Sequence, residues 1–116
     1  MKNDIAPKGW SAVCSLDDIV PNTGICALVN DRHVAVFHVQ QDAELALYAI
    51  DNVDPNVRAS VLSRGLIGSL GERIVVASPI FKHHFDLRTG ECLEAPDNSV
   101  NAYPVRLQDR QVLVAV

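Results

Sequence analysis

The stretch that decides the fold is Val75 to Leu93, VVASPIFKHHFDLRTGECL. It joins an apolar, β-branched run to a Pro turn, a paired histidine and a Gly-marked hairpin. Its form is that of a cofactor-binding segment, yet the residue types a cofactor needs are missing from it. The apolar run begins at Arg73 (RIVVA) and reads as a strand, Ser78-Pro79 is a turn, and His83 to Leu87 is a second short strand ending at Arg88-Thr89-Gly90. Glu91 to Leu93 resumes the chain, which makes Asp86 to Cys92 a Gly-containing hairpin.

Working outward, the same punctuation recurs. Trp10 to Cys14 suits a strand, and Ser15-Leu-Asp-Asp-Ile19 suits one helical turn with Ser as its cap and two acids on the favourable end of the dipole. Ile25 to Val29 and His33 to Val39 are apolar runs joined by Asn30-Asp31-Arg32, which is hairpin chemistry. In the second run Val34, Val36 and His38 share one face while His33, Ala35, Phe37 and Val39 share the other. Both faces are partly apolar, so this strand is expected between two layers. Glu44 to Ile50 gives a further strand and Asp54-Pro55-Asn56 a loop. Ala59 to Leu62 fits either a helical turn or an extended segment. Gly65, Gly68 and Gly71 in GLIGSLG are read as turn and bulge glycines, because their spacing does not match the dinucleotide fingerprint. Pro96-Asp97-Asn98 opens the tail, and Val100 to Leu107 with Gln111 to Val116 predicts a last hairpin.

The totals set bounds on partners and class. At 116 residues the chain fits one domain, 1–116, expected to bury roughly 65% of the surface its unfolded form exposes. With 48% apolar and 21% charged residues it belongs with folded domains rather than disordered chains. A net charge of −4 with no basic run argues against nucleic acid or an anionic membrane as partner. No run reaches the length of a membrane span, and MKNDIAPKGWSAVC has no signal-peptide h-region, so the expectation is cytoplasmic. Cys14, Cys26 and Cys92 are too widely spaced for a zinc site and are expected as small buried hydrophobes.

Candidate chemistry is sparse. His83 and His84 fall on opposite faces of a strand, so both do not reach one metal, while Asp86 shares a face with His84 and is placed to orient its imidazole. Ser63, Ser69 and Ser78 lack a nucleophile elbow and a visible Ser/His/acid order. Catalytic residues are therefore predicted to be none.

The runs LYAIDNVDPNVRASVLSRG (47–65) and RIVVASPIFKHHFDLRTGECLEAP (73–96) resemble the Rieske-type ferredoxin domain. That family carries Cys-x-His in a first loop and Cys-x-x-His in a second, before a hairpin of F-D-x-x-T-G form. The frame corresponds here through AIDN, Leu62, Gly65, Pro79 and Phe85-Asp86-Leu87-Arg88-Thr89-Gly90-Glu91. Aligned on Pro55 and Pro79, Asp54 and Asn56 stand at the first Cys and His positions, and Ser78 and Phe81 at the second pair. A [2Fe–2S] centre of this type takes two thiolates and two imidazoles, whereas Asp, Asn and Ser are hard oxygen donors and Phe offers none. Within this family the chain looks like the small subunits of cytoplasmic NAD(P)H-dependent nitrite reductases, which work in assimilatory reduction of nitrite to ammonium.

The resemblance implies an all-β, Rieske-like (ISP-type) sandwich or barrel of about ten short antiparallel strands. It implies no cofactor in this chain, with FAD, sirohaem and an iron–sulfur cluster carried by a large nitrite reductase subunit as partner. The loop residues Pro55, Val57, Pro79, Ile80, Phe81, Lys82 and His83 are the expected interface. Two other readings stand beside it. One is a free [2Fe–2S] electron carrier with unconventional ligands; the other is a divalent-metal or small-ligand module using Asp54, Asn56 and His84.

Overall fold

Short β-branched runs separated by Asn, Asp and Gly give this chain an all-antiparallel architecture, seen in a computed structural model that describes residues 9–116. The strands are β1 (Ser11–Ser15), β2 (Thr23–Val29), β3 (Arg32–Gln41), β4 (Glu44–Asp51), β5 (Val53–Asp54) and β6 (Ala59–Ser60) in the first half. The second half adds β7 (Leu66–Leu70), β8 (Arg73–Ala77), β9 (His84–Asp86), β10 (Ala102–Tyr103), β11 (Val105–Gln108) and β12 (Gln111–Val114). They form four small sheets: β1-β12-β11, β10-β4-β3-β2, β5-β6 and β7-β8-β9. Single 3₁₀ turns at Leu16–Asp18, Leu62–Arg64 and Pro96–Asn98 link them, the first closed by the capping box of Ser15 and Asp18.

The tight hairpins turn on paired residues at positive φ, a conformation that Asn and Asp tolerate and Arg110 adopts beside Asp109. Asn30 (φ 50°) and Asp31 (φ 65°) join Val29 to its partner Arg32, and Asp109 (φ 51°) with Arg110 (φ 62°) joins Gln108 to Gln111. Two positive-φ residues between paired strand ends match the right-handed twist of the strands they connect.

β3 is the strand on which both cores are built. Its odd positions Ala35, Phe37 and Val39 pack with Leu62, Val76, Phe85, Leu87 and Cys92, while its even positions Val34 and Val36 pack with Leu16, Ile19, Val112 and Val114. Alternation of side chains across the strand sends one residue set into each layer. The sandwiched strand expected from the sequence is therefore present. His38 is buried on the second face, where its Nδ1 meets the Ile19 carbonyl oxygen at 2.9 Å.

Several expectations need correction. The predicted strand Val100 to Leu107 is divided, because Pro104 has no N–H to carry a ladder through it: Ala102 and Tyr103 pair with β4, and Val105 to Gln108 pair with β12. The return strand Glu91 to Leu93 is reduced to one bridge, Phe85 to Cys92, because Asp86 Oδ1 accepts the Arg88 and Thr89 N–H groups and widens the turn. GLIGSLG holds a complete strand, β7, whose pairing with β8 carries Gly68 along, and only Gly71 (φ 63°) sits in the turn. Ala59 to Leu62 is extended first and helical after, as β6 and the second 3₁₀ turn. Of the cysteines only Cys92 is buried, Cys14 being half-buried and Cys26, opposite Ala35 on the edge strand β2, exposed.

Gly90 shows how tightly the F-D-x-x-T-G hairpin is built. It has φ +83°, its N–H donates to Asp86 O, and a Cβ placed on it would collide with Val100 O. Gly68 faces open space with an extended backbone. Gly90→Ala is expected to lower the unfolding free energy by at least about 2 kcal/mol. In urea titrations Gly68→Ala should stay within about 0.5 kcal/mol of the parent. Equal effects would show that the left-handed conformation at Gly90 is not what fixes the hairpin.

A polar knot beneath an aromatic tip

Two loops meet where the β5-β6 and β8-β9 turns approach. The first spans 54–58. Pro55 fixes its φ, and the Asp54 carboxylate folds back on the loop, accepting the Asn56 backbone N–H at 2.9 Å and the Asn56 side-chain amide at 3.0 Å through Oδ1. The Asp54 carbonyl oxygen takes the Val57 and Arg58 N–H groups at 3.2 and 2.7 Å, which tightens the loop into a single turn. The second loop spans 78–83 and is closed by the Ser78 N–H donating to His83 O at 2.9 Å.

One side-chain hydrogen bond joins them: the Ser78 hydroxyl donates to Asp54 Oδ2 at 2.6 Å. Asp54 is 0% and Ser78 1% exposed, so a carboxylate is buried here and held by one hydroxyl and two N–H donors. Burial of a carboxylate is tolerated only with such donors, since an unsatisfied one is strongly destabilising. Asn56 is held in turn by the Asn98 amide, which donates to its Oδ1 at 2.8 Å, and its own Nδ2 lies 3.9 Å from the buried Cys92 Sγ. Below the first loop, buried Asn52 accepts the Ser63 N–H at 2.6 Å and donates to Ser60 Oγ at 2.6 Å. These bonds fix the loop bases.

The tip of the second loop is built the other way. Ile80 is 38% and Phe81 73% exposed, with Pro79 and Lys82 also at the surface. The Lys82 N–H donates to Ile80 O at 2.7 Å, closing a three-residue turn whose centre, Phe81, has φ +58°, and Lys82 follows at φ +54°. A γ-turn with positive φ at its centre is the rare, strained form, and a bulky side chain there adds to the strain. The loop ends in a clasp. His84 donates its backbone N–H to Glu94 Oε1 at 2.7 Å, and its Nδ1 meets Glu94 Oε2 at 2.6 Å. Partial burial raises the Glu94 pKa, but these bonds outweigh it and hold the carboxyl below its ordinary range.

The structure thus brings together Asp54, Asn56 and Ser78 and leaves Phe81 apart, its ring in solvent. Among the expected interface residues Pro55, Val57 and His83 are half-buried, and Pro79, Ile80, Phe81 and Lys82 are exposed. The carboxylate that orients His84 is Glu94 and not Asp86, whose oxygens are engaged by the Arg88 and Thr89 N–H groups and lie 3.5 Å from Arg73. His84 is committed to Glu94, and no group of three or more metal-ligating side chains that would join it to Asp54 and Asn56 occurs among the described residues. Asn52, Cys92, Glu94 and Asn98 were not singled out as site residues. Asn52 carried a signal, the AIDN motif, while the other three act across distances in sequence that no local pattern reveals.

Comparison with known proteins gives a consistent picture. The Rieske-like [2Fe-2S] domain family matches residues 9–115. The nitrite reductase (NADH) small subunit of Escherichia coli K12 is 43% identical over 100 residues, covering 86% of this chain and 91% of that one. A crystal structure of a putative NADH-dependent nitrite reductase small subunit from Mycobacterium tuberculosis superposes with a TM-score of 0.85 at 38% identity, covering 92% of this chain and 94% of that one. The nitrite reductase [NAD(P)H] large subunit of Klebsiella oxytoca contains a 37% identical segment over 105 residues, 90% of this chain and 11% of the larger protein.

A [2Fe–2S] centre of the Rieske type is held by two thiolates on one iron and two imidazoles on the other. The residues gathered here are a carboxylate, an amide and a hydroxyl already bonded to one another, with Cys92 as the nearby thiol. They do not fit that group. Ser78→Ala, which leaves Asp54 Oδ2 buried without its donor, is expected to destabilise the fold by about 1–3 kcal/mol, read from urea midpoints. Phe81→Asn, better suited to positive φ and losing little buried area, should leave stability unchanged or raise it by up to about 1 kcal/mol. A destabilised Phe81→Asn chain would mean that the ring packs in the isolated fold.

Proposed function

Because this chain belongs to the Rieske-like [2Fe-2S] domain family, within its nitrite reductase small-subunit branch, we propose that it is a cluster-free small subunit of an NAD(P)H-dependent nitrite reductase. It acts as a partner domain of the large subunit, which carries the flavin, sirohaem and iron–sulfur chemistry that takes nitrite to ammonium. The observation that carries the partner assignment is the segment of the Klebsiella oxytoca large subunit: there a copy of this domain, 37% identical, is part of the same polypeptide as that large subunit. A domain found both as a separate small subunit and within the large one is suited to working against the same protein surface in both arrangements.

The chemistry of the knot supports the cluster-free part of the reading. In place of soft donors, Asp54, Asn56 and Ser78 form a closed hydrogen-bonded set that joins the two loops directly. A bond of this kind supplies the cross-loop connection that a metal cluster otherwise makes. The chain's contribution is then positional: it offers a rigid surface to the subunit in which nitrite is reduced.

The test is copurification. The chain, tagged and expressed beside a nitrite reductase large subunit from the same organism, should elute with it as one species, and the chain alone should be colourless with no more than trace iron. Failure to associate with the large subunit would overturn the partner assignment. Stoichiometric iron with visible charge-transfer absorption in the chain alone would favour an electron carrier with unconventional ligands.

A further inference from the structure

Resting on that partner assignment, we propose that the exposed turn Ile80-Phe81-Lys82 is a preorganised docking knob whose partner site on the large subunit is an apolar pocket edged by a carboxylate. Three observations carry this. First, the turn is strained in the free chain: Phe81 and Lys82 hold φ of +58° and +54°, and the Lys82 N–H closes on Ile80 O at 2.7 Å. Side chains of these types rarely adopt that conformation, and strain of this sort marks sites where the presentation of a side chain matters.

Second, the conformation places neither apolar side chain in the core of the isolated fold. Phe81 is 73% exposed and Ile80 38%, and both are absent from the two core clusters and their partly buried surroundings. An aromatic ring and a branched aliphatic held out together by a fixed backbone form the apolar anchor that protein interfaces bury in a pocket. The base of the turn is rigid, because Ser78 is locked to Asp54 and the chain after His83 is clasped through His84 to Glu94. A held knob loses little freedom on docking.

Third, the charges next to the knob are uncommitted. Lys82 and Arg58, one in each loop, are exposed and make no ion pair among the described residues, as is also the case for Arg64 and Arg88 outside the loops, while Arg32, Arg73 and Arg110 are paired. Neither 55–58 nor 79–83 contains an Asp or Glu, in a chain of net charge −4. The exposed Asp31 lines a surface pocket together with Val53 and Pro55, and the exposed Asp97 adjoins Asn98, whose amide bonds Asn56. The cations therefore lie in the loops themselves, which is the arrangement that meets a carboxylate at a pocket's edge and speeds encounter with it.

Binding kinetics of the full chain with the large subunit separate the parts of this proposal. Phe81→Ala is expected to weaken the complex by roughly 30-fold or more, chiefly through faster dissociation, while the chain keeps its thermal midpoint. The double variant Arg58→Glu, Lys82→Glu is expected to slow association at low salt about tenfold and to remove most of its salt dependence. Phe81→Leu, still apolar, should retain most of the affinity. A complex that forms normally with Phe81→Ala and with the charge-reversed chain overturns the knob while leaving the partner assignment intact. If the parent chain does not bind the large subunit, the partner assignment fails and the knob fails with it.

Discussion

A buried carboxylate sets the terms for the functional end of this molecule. Asp54 is removed from water, and its two oxygens are answered by a hydroxyl from one loop and two N–H groups from the other. Those donors come from residues that must be where they are for the carboxylate to be stable at all. The Ser78 hydroxyl comes from the end of β8, so the same bond that satisfies Asp54 holds the β5-β6 loop against the β8-β9 loop. Asn56 passes the constraint on to Asn98 in the 3₁₀ turn at Pro96–Asn98. Three separate stretches of chain are thereby fixed around one charge.

The scaffold beneath is built to hold this arrangement. β3 feeds both cores, and the first of them contains Val76 and Phe85, two residues before and two residues after the second loop, and Leu62, four residues after the first. Rigid bases and a solvent-facing tip are therefore consequences of one packing pattern. The strain at Phe81 persists because Ser78, His83 and His84 are fixed by partners on either side of it. A backbone held that way on both sides carries an unfavourable φ that a free loop would relax.

Much of this was legible in the sequence. Alternation from His33 to Val39 gave the two-sided strand, and Asn30-Asp31 gave a turn whose positive φ follows from its residue types, whereas Arg110 takes positive φ against the preference of its own. The F-D-x-x-T-G frame gave the family and the fold, and alignment on Pro55 and Pro79 picked out Asp54, Asn56 and Ser78, which the fold gathers. What was hidden depended on tertiary contacts. The bond from Ser78 to Asp54 crosses 24 positions, and Glu94 reaches His84 across 10. Periodicity favoured Asp86 for that histidine because it counts faces and not loop closures. Pro104 is the one case where a local rule was available, since a missing N–H interrupts a ladder. The conformation of Phe81 runs against its own preference, so no local rule predicts it.

The central claim is that hydrogen bonds around Asp54 join the loops. A double-mutant cycle between Asp54→Ala and Ser78→Ala, followed by urea unfolding of the full chain, measures that link directly. A coupling of at least about 1 kcal/mol is predicted, with the double variant less destabilised than the sum of the single ones. Additivity within about 0.3 kcal/mol would contradict it, because the two side chains would then contribute independently and something else would hold the loops together.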